Sequence, residues 1–374
     1  MRIRLLDGGL GTTLEAPPYH FTFTSDTPLW SAHLLVADPA ILCAVHASFV
    51  ASGADIILTA TYQTSVEGFA RTPPGYGPDD AARYMRSAVT LARNAVGSAA
   101  SDVVEHDRKG ITRKSRQRPV DIALSLGPYG ATMSPIAAEY SGLYPDAMNS
   151  EAALRDWHAQ RLKIFADDED SWNNVQYVAF ETLRRADEVR AIRGAMADVA
   201  RSIPTEKQKP WWITGVFPAD EPDEDDIRSW VRAAVGGVEE GLPRPWGIGV
   251  NCTRLDHIRH IVSVMQLELA QMATAGGEFV DQWHSLSGRP WLVLYPDGTK
   301  GERYDPATKA WIAPGSEPDK ENVARPWSEQ FRDVVHDLMD TSWEGLIIGG
   351  CCRTGPRQIE ELRAVVDGKL AGKF

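Results

Sequence analysis

The chain has 374 residues, 43% of them hydrophobic and 24% charged, the composition of a globular protein long enough to bury a sizeable core. Its net charge of −12 argues against nucleic acid as the main partner, and no run of about 18 apolar residues is present to span a membrane. Four cysteines do not make a disulfide scaffold and residues 1–15 lack the apolar core of a signal peptide, so a reducing, cytoplasmic setting is expected.

Short apolar runs alternate with helix-period stretches from end to end. Strands are expected over 2–6, 55–61, 120–126, 175–180, 211–216, 246–251, 290–295 and 345–348. Helices are expected over 39–52, 79–96, 150–165, 186–201, 223–235, 255–273, within 324–340, and over 355–366, with Ser150 as an N-cap. Eight strands in strict alternation with eight helices make the (β/α)8 TIM barrel pattern, with a doubly wound open sheet as the runner-up. No repeat or domain-sized linker interrupts the pattern, so residues 1–374 read as a single barrel domain. Two segments break the rhythm. Residues 102–119 are rich in Lys and Arg and read as a solvated loop on the face away from the chemistry. Residues 300–321 are polar, follow the seventh strand, and read either as a fold over the catalytic face or as a surface excursion.

A barrel carries its chemistry in the loops after the strands. The last strand runs straight into Gly349-Gly350-Cys351-Cys352-Arg353-Thr354, and the sixth ends on Asn251-Cys252. Thiolate is a strong zinc ligand, and three protein ligands leave the tetrahedral fourth position open for chemistry. The competing reading is a small buried hydrophobe, which suits Cys43 inside its helical pattern. The spacing is not that of a zinc finger, so spacing alone leaves both readings open. Gly9-Leu-Gly11 is not a dinucleotide loop, because Leu14 stands where the third glycine belongs. His257 and His260 follow Cys252 but fall on the next helix, where exposed positions are expected rather than metal ligands.

Six motifs occur in order: Asp7-Gly-Gly-Leu-Gly-Thr-Thr-Leu-Glu15, Thr59-Ala-Thr-Tyr-Gln63, Gly127-Pro-Tyr-Gly-Ala131, Phe180-Glu-Thr182, Gly249-Val-Asn-Cys252 and Gly349-Gly-Cys-Cys-Arg-Thr354. Together they resemble the homocysteine S-methyltransferase family over nearly the whole chain. Ser25-Asp-Thr-Pro-Leu-Trp-Ser31, Leu292-Val-Leu-Tyr-Pro296 and Gly301-Glu-Arg-Tyr-Asp305 resemble the branch that uses S-methylmethionine or S-adenosylmethionine. The resemblance implies Zn2+ held by Cys252, Cys351 and Cys352, and Asp7 and Glu181 holding the ammonium of homocysteine. One departure is Arg184, where the family often has Pro.

Metal coordination makes thiolate the dominant form of a substrate thiol whose free pKa is about 8.5. That thiolate attacks a sulfonium methyl in line, cancelling two opposite charges. The N–H groups of Gly8 and Gly9 are candidates for binding the substrate carboxylate, with a tight turn as the other reading. Asn251 either orients the site or ends its strand, and Glu181 outside the family context would pair with Arg184 or Arg185. Trp30, Tyr62, Tyr129 and Tyr295 are aromatic candidates for the walls of a sulfonium site. The leading expectation is methyl transfer from a small-molecule sulfonium donor to homocysteine, giving methionine. Betaine as donor, and a non-catalytic metal-binding or thiol-sensing barrel, are the alternatives. Oligomeric state is not legible in the sequence.

Overall fold

The computed structural model describes residues 2–24, 27–101, 104–106, 112–114, 118–238, 240–275, 288–299, 302–305, 310–312, 325–339 and 343–370. Eight parallel strands form one sheet: β1 (Arg2–Leu5), β2 (Ile56–Leu58), β3 (Asp121–Leu126), β4 (Tyr177–Leu183), β5 (Trp211–Gly215), β6 (Gly247–Asn251), β7 (Trp291–Tyr295) and β8 (Gly345–Ile348). Sheet neighbours follow chain order from β2 to β8, and β8 pairs with β1. A single bridge, Leu6 to Ile56, joins β1 to β2 and closes the (β/α)8 barrel. The helices that follow the strands are α1 (Pro39–Ala51), α2 (Pro78–Ser101), α3 (Glu151–Ala166), α4 (Ala186–Ala200), α5 (Glu224–Val235), α6 (Ile258–Ala275), α7 (Trp327–Asp337) and α8 (Pro356–Val365).

Strand alternation sorts the core into two parts. On β7, Leu292 and Leu294 face the helices, while Trp291, Val293 and Tyr295 face the barrel interior. The N-terminal end of the barrel is plugged by aromatic side chains from the first residues of the strands. Trp246 stacks on Trp291 at 4.6 Å and Tyr177 packs on Trp212 at 5.6 Å. Arg2 lies over Trp291, and Arg4 pairs with Asp121 at 2.6 Å. Three of the twelve tryptophans are spent here. Asp38, Ser150 and Asp223 each accept a backbone N–H in the first turn of α1, α3 and α5, as short polar N-caps do.

The seam between β1 and β2 has little backbone ladder, and carboxylates replace it. Asp55 Oδ2 accepts from the Leu5 N–H at 2.8 Å and from Arg363 of α8 at 2.5 Å. Asp7 Oδ2 accepts from the Leu58 N–H at 2.9 Å.

Several expected boundaries shift. β2 stops at Leu58, because beyond it threonine hydroxyls take over pairing to β3: Thr59 Oγ1 accepts from Ser125 N–H and Thr61 Oγ1 donates to Ser125 O. β4 runs on to Leu183 through a register shift after Phe180 that turns Glu181 and Thr182 toward the site. In the segment expected as a loop, Val104–His106 pairs antiparallel with Thr112–Lys114, because a backbone ladder does not depend on the apolar period that marks a core strand. In the polar excursion after β7, Arg303–Asp305 pairs with Ala310–Ile312, and residues 313–321 lie outside the described residues. His257 is half-buried in a 3₁₀ turn rather than exposed on α6, because the helix begins only at Ile258.

Candidate active site

One cavity of about 400 Å³ opens at the C-terminal ends of the strands. Asp7, Gly8, Gly9, Tyr62, Glu181, Cys252, Cys351 and Cys352 all line it, as do Trp30 and Tyr295. Tyr129 does not; its ring packs against Tyr144 and Trp157.

The loop after β8 is fixed by its neighbours' backbones. Gly349 N–H donates to Leu294 O, Gly350 N–H to Asp7 O, and Cys351 N–H to Pro296 O at 2.9 Å. Gly298 N–H donates to Cys352 O, and Cys252 N–H donates to Tyr295 O. The Sγ atoms of Cys252, Cys351 and Cys352 lie within 4.8 Å of one another. Three thiolates sharing Zn2+ are what the resemblance implies, and the closeness of the sulfurs suits that set. In this structure Cys252 and Cys351 form a disulfide across 99 residues, and Cys352 stays free. The reason is proximity: sulfurs gathered closely enough to share a cation are also close enough to couple.

Glycine at positions 8 and 9 is a packing requirement. A Cβ on Gly8 would collide with the Thr354 carbonyl, and one on Gly9 with the Cys351 carbonyl. The Gly9 N–H is already spent on Thr354 O at 2.8 Å, so it is not free for a substrate carboxylate as expected. Asn251 stands behind the site and does not touch a substrate. It is fully buried and does not line the cavity. Its Oδ1 accepts from Thr182 N–H and Thr214 Oγ1, both at 2.7 Å, and its Nδ2 donates to Thr182 Oγ1. The amide thereby holds Thr182 at φ 65°, beside Cys252 at φ 46°.

Glu181 makes no pair with Arg184, which binds Asp226, or with Arg185, which binds Asp187. It accepts from Ser125 Oγ at 2.5 Å, and burial pushes its carboxyl up to about 7. Burial, then the nearby Glu181, raise Asp7 well above the usual carboxylate range. Asp7 Oδ1 is buried with no hydrogen-bond partner.

Sequence reasoning passed over Glu139, Tyr140, Gln63 and Trp311, which also line the cavity. Gln63 stands inside a quoted motif but carried no role; Glu139 and Tyr140 lie in an irregular loop without periodic signal. It also passed over Arg161, an ordinary helix position by pattern. Fully buried, Arg161 donates to Gly127 O, Thr61 O and Tyr62 O at 2.6–2.8 Å and ties the loops after β2 and β3 together.

Three cysteine sulfurs are a soft donor set that fits zinc and leaves a fourth position open in the reduced state. Burial, with Asp297, Glu15 and Glu139 nearby, pushes the Cys352 thiol up to about 12, so a lone thiolate is disfavoured there and a cation would relieve it. Among the described residues no Lys, Arg or His lines the cavity, while Asp7, Glu15, Glu139 and Glu181 do.

The homocysteine S-methyltransferase family model matches residues 4–366. A selenocysteine Se-methyltransferase from Brassica oleracea var. italica is 30% identical over 96% of this chain and 87% of its own. A homocysteine S-methyltransferase from Bacillus subtilis (strain 168) is 28% identical over 96% of this chain and 93% of its own. The fold matches the metallated form of the homocysteine methyltransferase MmuM from Escherichia coli, with TM-score 0.60, 22% identity, and coverage of 97% of this chain and 96% of that one. The oxidized form of the same enzyme matches with TM-score 0.60 and 23% identity. A barrel whose cavity gathers three cysteine sulfurs and two strand-end carboxylates, matched to this family almost from end to end, belongs to the homocysteine S-methyltransferase family and is a methyltransferase.

Proposed function

We propose that the protein transfers a methyl group from a sulfonium donor to the thiol of homocysteine, giving methionine. Reduced Cys252, Cys351 and Cys352 hold Zn2+ in this reading, and S-methylmethionine is the preferred donor, S-adenosylmethionine the second. The observation that carries it is the triple-sulfur cluster in the wall of the same cavity as Asp7 and Glu181. A zinc ion bound there supplies Lewis acidity that favours the thiolate form of an acceptor thiol near neutral pH.

The chain's own groups do the rest. Asp7 Oδ1, buried and unpaired, accepts an N–H from the acceptor's ammonium, and Glu181 adds negative charge beside it. Trp30, Tyr62, Tyr140 and Tyr295 present aromatic faces to a sulfonium. The bond from acceptor sulfur to methyl forms as the donor's sulfur–methyl bond breaks. The bonding pair returns to the donor sulfur, which leaves as a neutral thioether. Opposite charges are consumed, so a cavity that excludes water favours the transfer.

The test is metal analysis of the reduced protein, then a panel of S-methylmethionine, S-adenosylmethionine and betaine against homocysteine, with selenocysteine as a second acceptor. One zinc per chain and methionine from a sulfonium donor are expected. Bound zinc with no methylated product from any pair would overturn the catalytic reading in favour of a thiol-sensing barrel. Methionine from betaine alone would overturn the sulfonium reading.

A further inference from the structure

The cavity contains more unpaired acceptors than one amino-acid substrate uses. Glu139, in the loop after β3, is only 6% exposed, and its Oε2 is buried without a hydrogen-bond partner. Gln63, in the loop after β2, donates Nε2 to Ala131 O at 3.1 Å, which leaves its Oε1 buried and unpartnered as well. Both residues line the cavity, and Arg161 fastens their two loops to each other. Buried acceptors without a donor are rare in folded proteins, and each requires an N–H or O–H from water or from a guest. No Lys, Arg or His among the described residues lines the cavity, so a guest must bring the positive charge.

Under the proposed function, on which this inference rests, the acceptor's ammonium occupies Asp7 and Glu181. That leaves Glu139 and Gln63 without a role, and the methyl donor without a partner for its own amino group. We propose that Glu139, assisted by Gln63 Oε1, binds the α-ammonium of the methyl donor, which makes the donor class an amino acid bearing a sulfonium. Burial pushes the Glu139 carboxyl up to about 7, and an ammonium against it restores the ionised form. Both S-methylmethionine and S-adenosylmethionine carry that ammonium. Betaine carries a quaternary nitrogen with no N–H, so these acceptors stay orphaned when it binds.

The test compares zinc-loaded full-length wild type with Glu139→Gln, using homocysteine as acceptor. The donors are S-methylmethionine and 3-(dimethylsulfonio)propionate, which keeps the sulfonium and lacks the amine; where it is not turned over it serves as a competitive inhibitor. In the variant the KM for S-methylmethionine should rise about ten- to hundredfold, the loss of one charge-assisted contact. Its kcat, the homocysteine KM, and the KM or Ki of the amine-free sulfonium should stay at wild-type values. Gln63→Leu should raise the same donor KM by a smaller factor. An unchanged KM for S-methylmethionine, an equal rise for both sulfonium compounds, or a rise confined to homocysteine overturns the assignment. Inactivity of wild type with every donor counts against the proposed function instead. The assignment is then decided by calorimetric binding of S-methylmethionine, with weaker binding to Glu139→Gln supporting it and equal binding to both proteins refuting it.

Discussion

Glu139 is held in a state that favours function over stability. Its folded-state pKa of about 7 stands above the 4.5 of an exposed glutamate. Between those two values the folded protein binds the proton more tightly than the unfolded chain does. Stability from this group is therefore greatest at low pH and is lost as pH rises through about 7. Glu139→Gln should accordingly leave the metal-free protein nearly unchanged at pH 5 and stabilise it by about 1–3 kcal/mol at pH 8, read from urea unfolding. A variant less stable than wild type at pH 8 would contradict the account. Cys352 is the thiol left outside the disulfide, and in the reduced protein it completes the three-sulfur set. Cys352→Ser should abolish stoichiometric zinc and lower methyl transfer more than about 100-fold, with an unchanged far-UV circular dichroism spectrum. Full activity with zinc retained would refute its role as a ligand.

At the scale of elements, the site depends on loops that are tied rather than free. Arg161 on α3 spans the loops after β2 and β3 through three carbonyls, and its burial lowers its own pKa to about 9. Arg161→Met should cost about 2–4 kcal/mol by leaving those carbonyls unpaired. It should also raise the donor KM, because Tyr62, Gln63 and Glu139 ride on those two loops. A stable variant with wild-type kinetics would show that the loops hold themselves. The elements were legible in the sequence wherever periodicity reports burial: each of the eight expected strands overlaps an observed one. The ends of β2 and β4 were not, because Thr59 and Thr61 hydroxyls and the shift at Glu181 are decided by what stands on the adjacent strand.

Across the whole molecule, closure is the vulnerable step. β1 and β2 share one backbone bridge, and Asp55 ties β1 to α8 through Leu5 N–H and Arg363. Asp55→Ala should destabilise the protein by about 2–3 kcal/mol and speed amide exchange in Arg2–Leu5 above that of β6 and β7. Uniform exchange in all strands of the variant would place the weak point elsewhere. The aromatic plug beneath the cavity fills the opposite end of the barrel, so ligands have access from the strand C-termini.

By itself the sequence determined the alternation of strand and helix, and with it the placing of Asp7, Glu181, Cys252, Cys351 and Cys352 at strand ends on one face. Apolar period and turn residues are local properties, and a closed barrel converts them directly into position. Only the tertiary structure decided that the Gly9 N–H and the Asn251 amide are already occupied, that Cys252 meets Cys351, and that Glu139 and Gln63 face the cavity with acceptors to spare. Whether a polar atom is satisfied depends on neighbours tens to hundreds of residues away, and no local pattern records it.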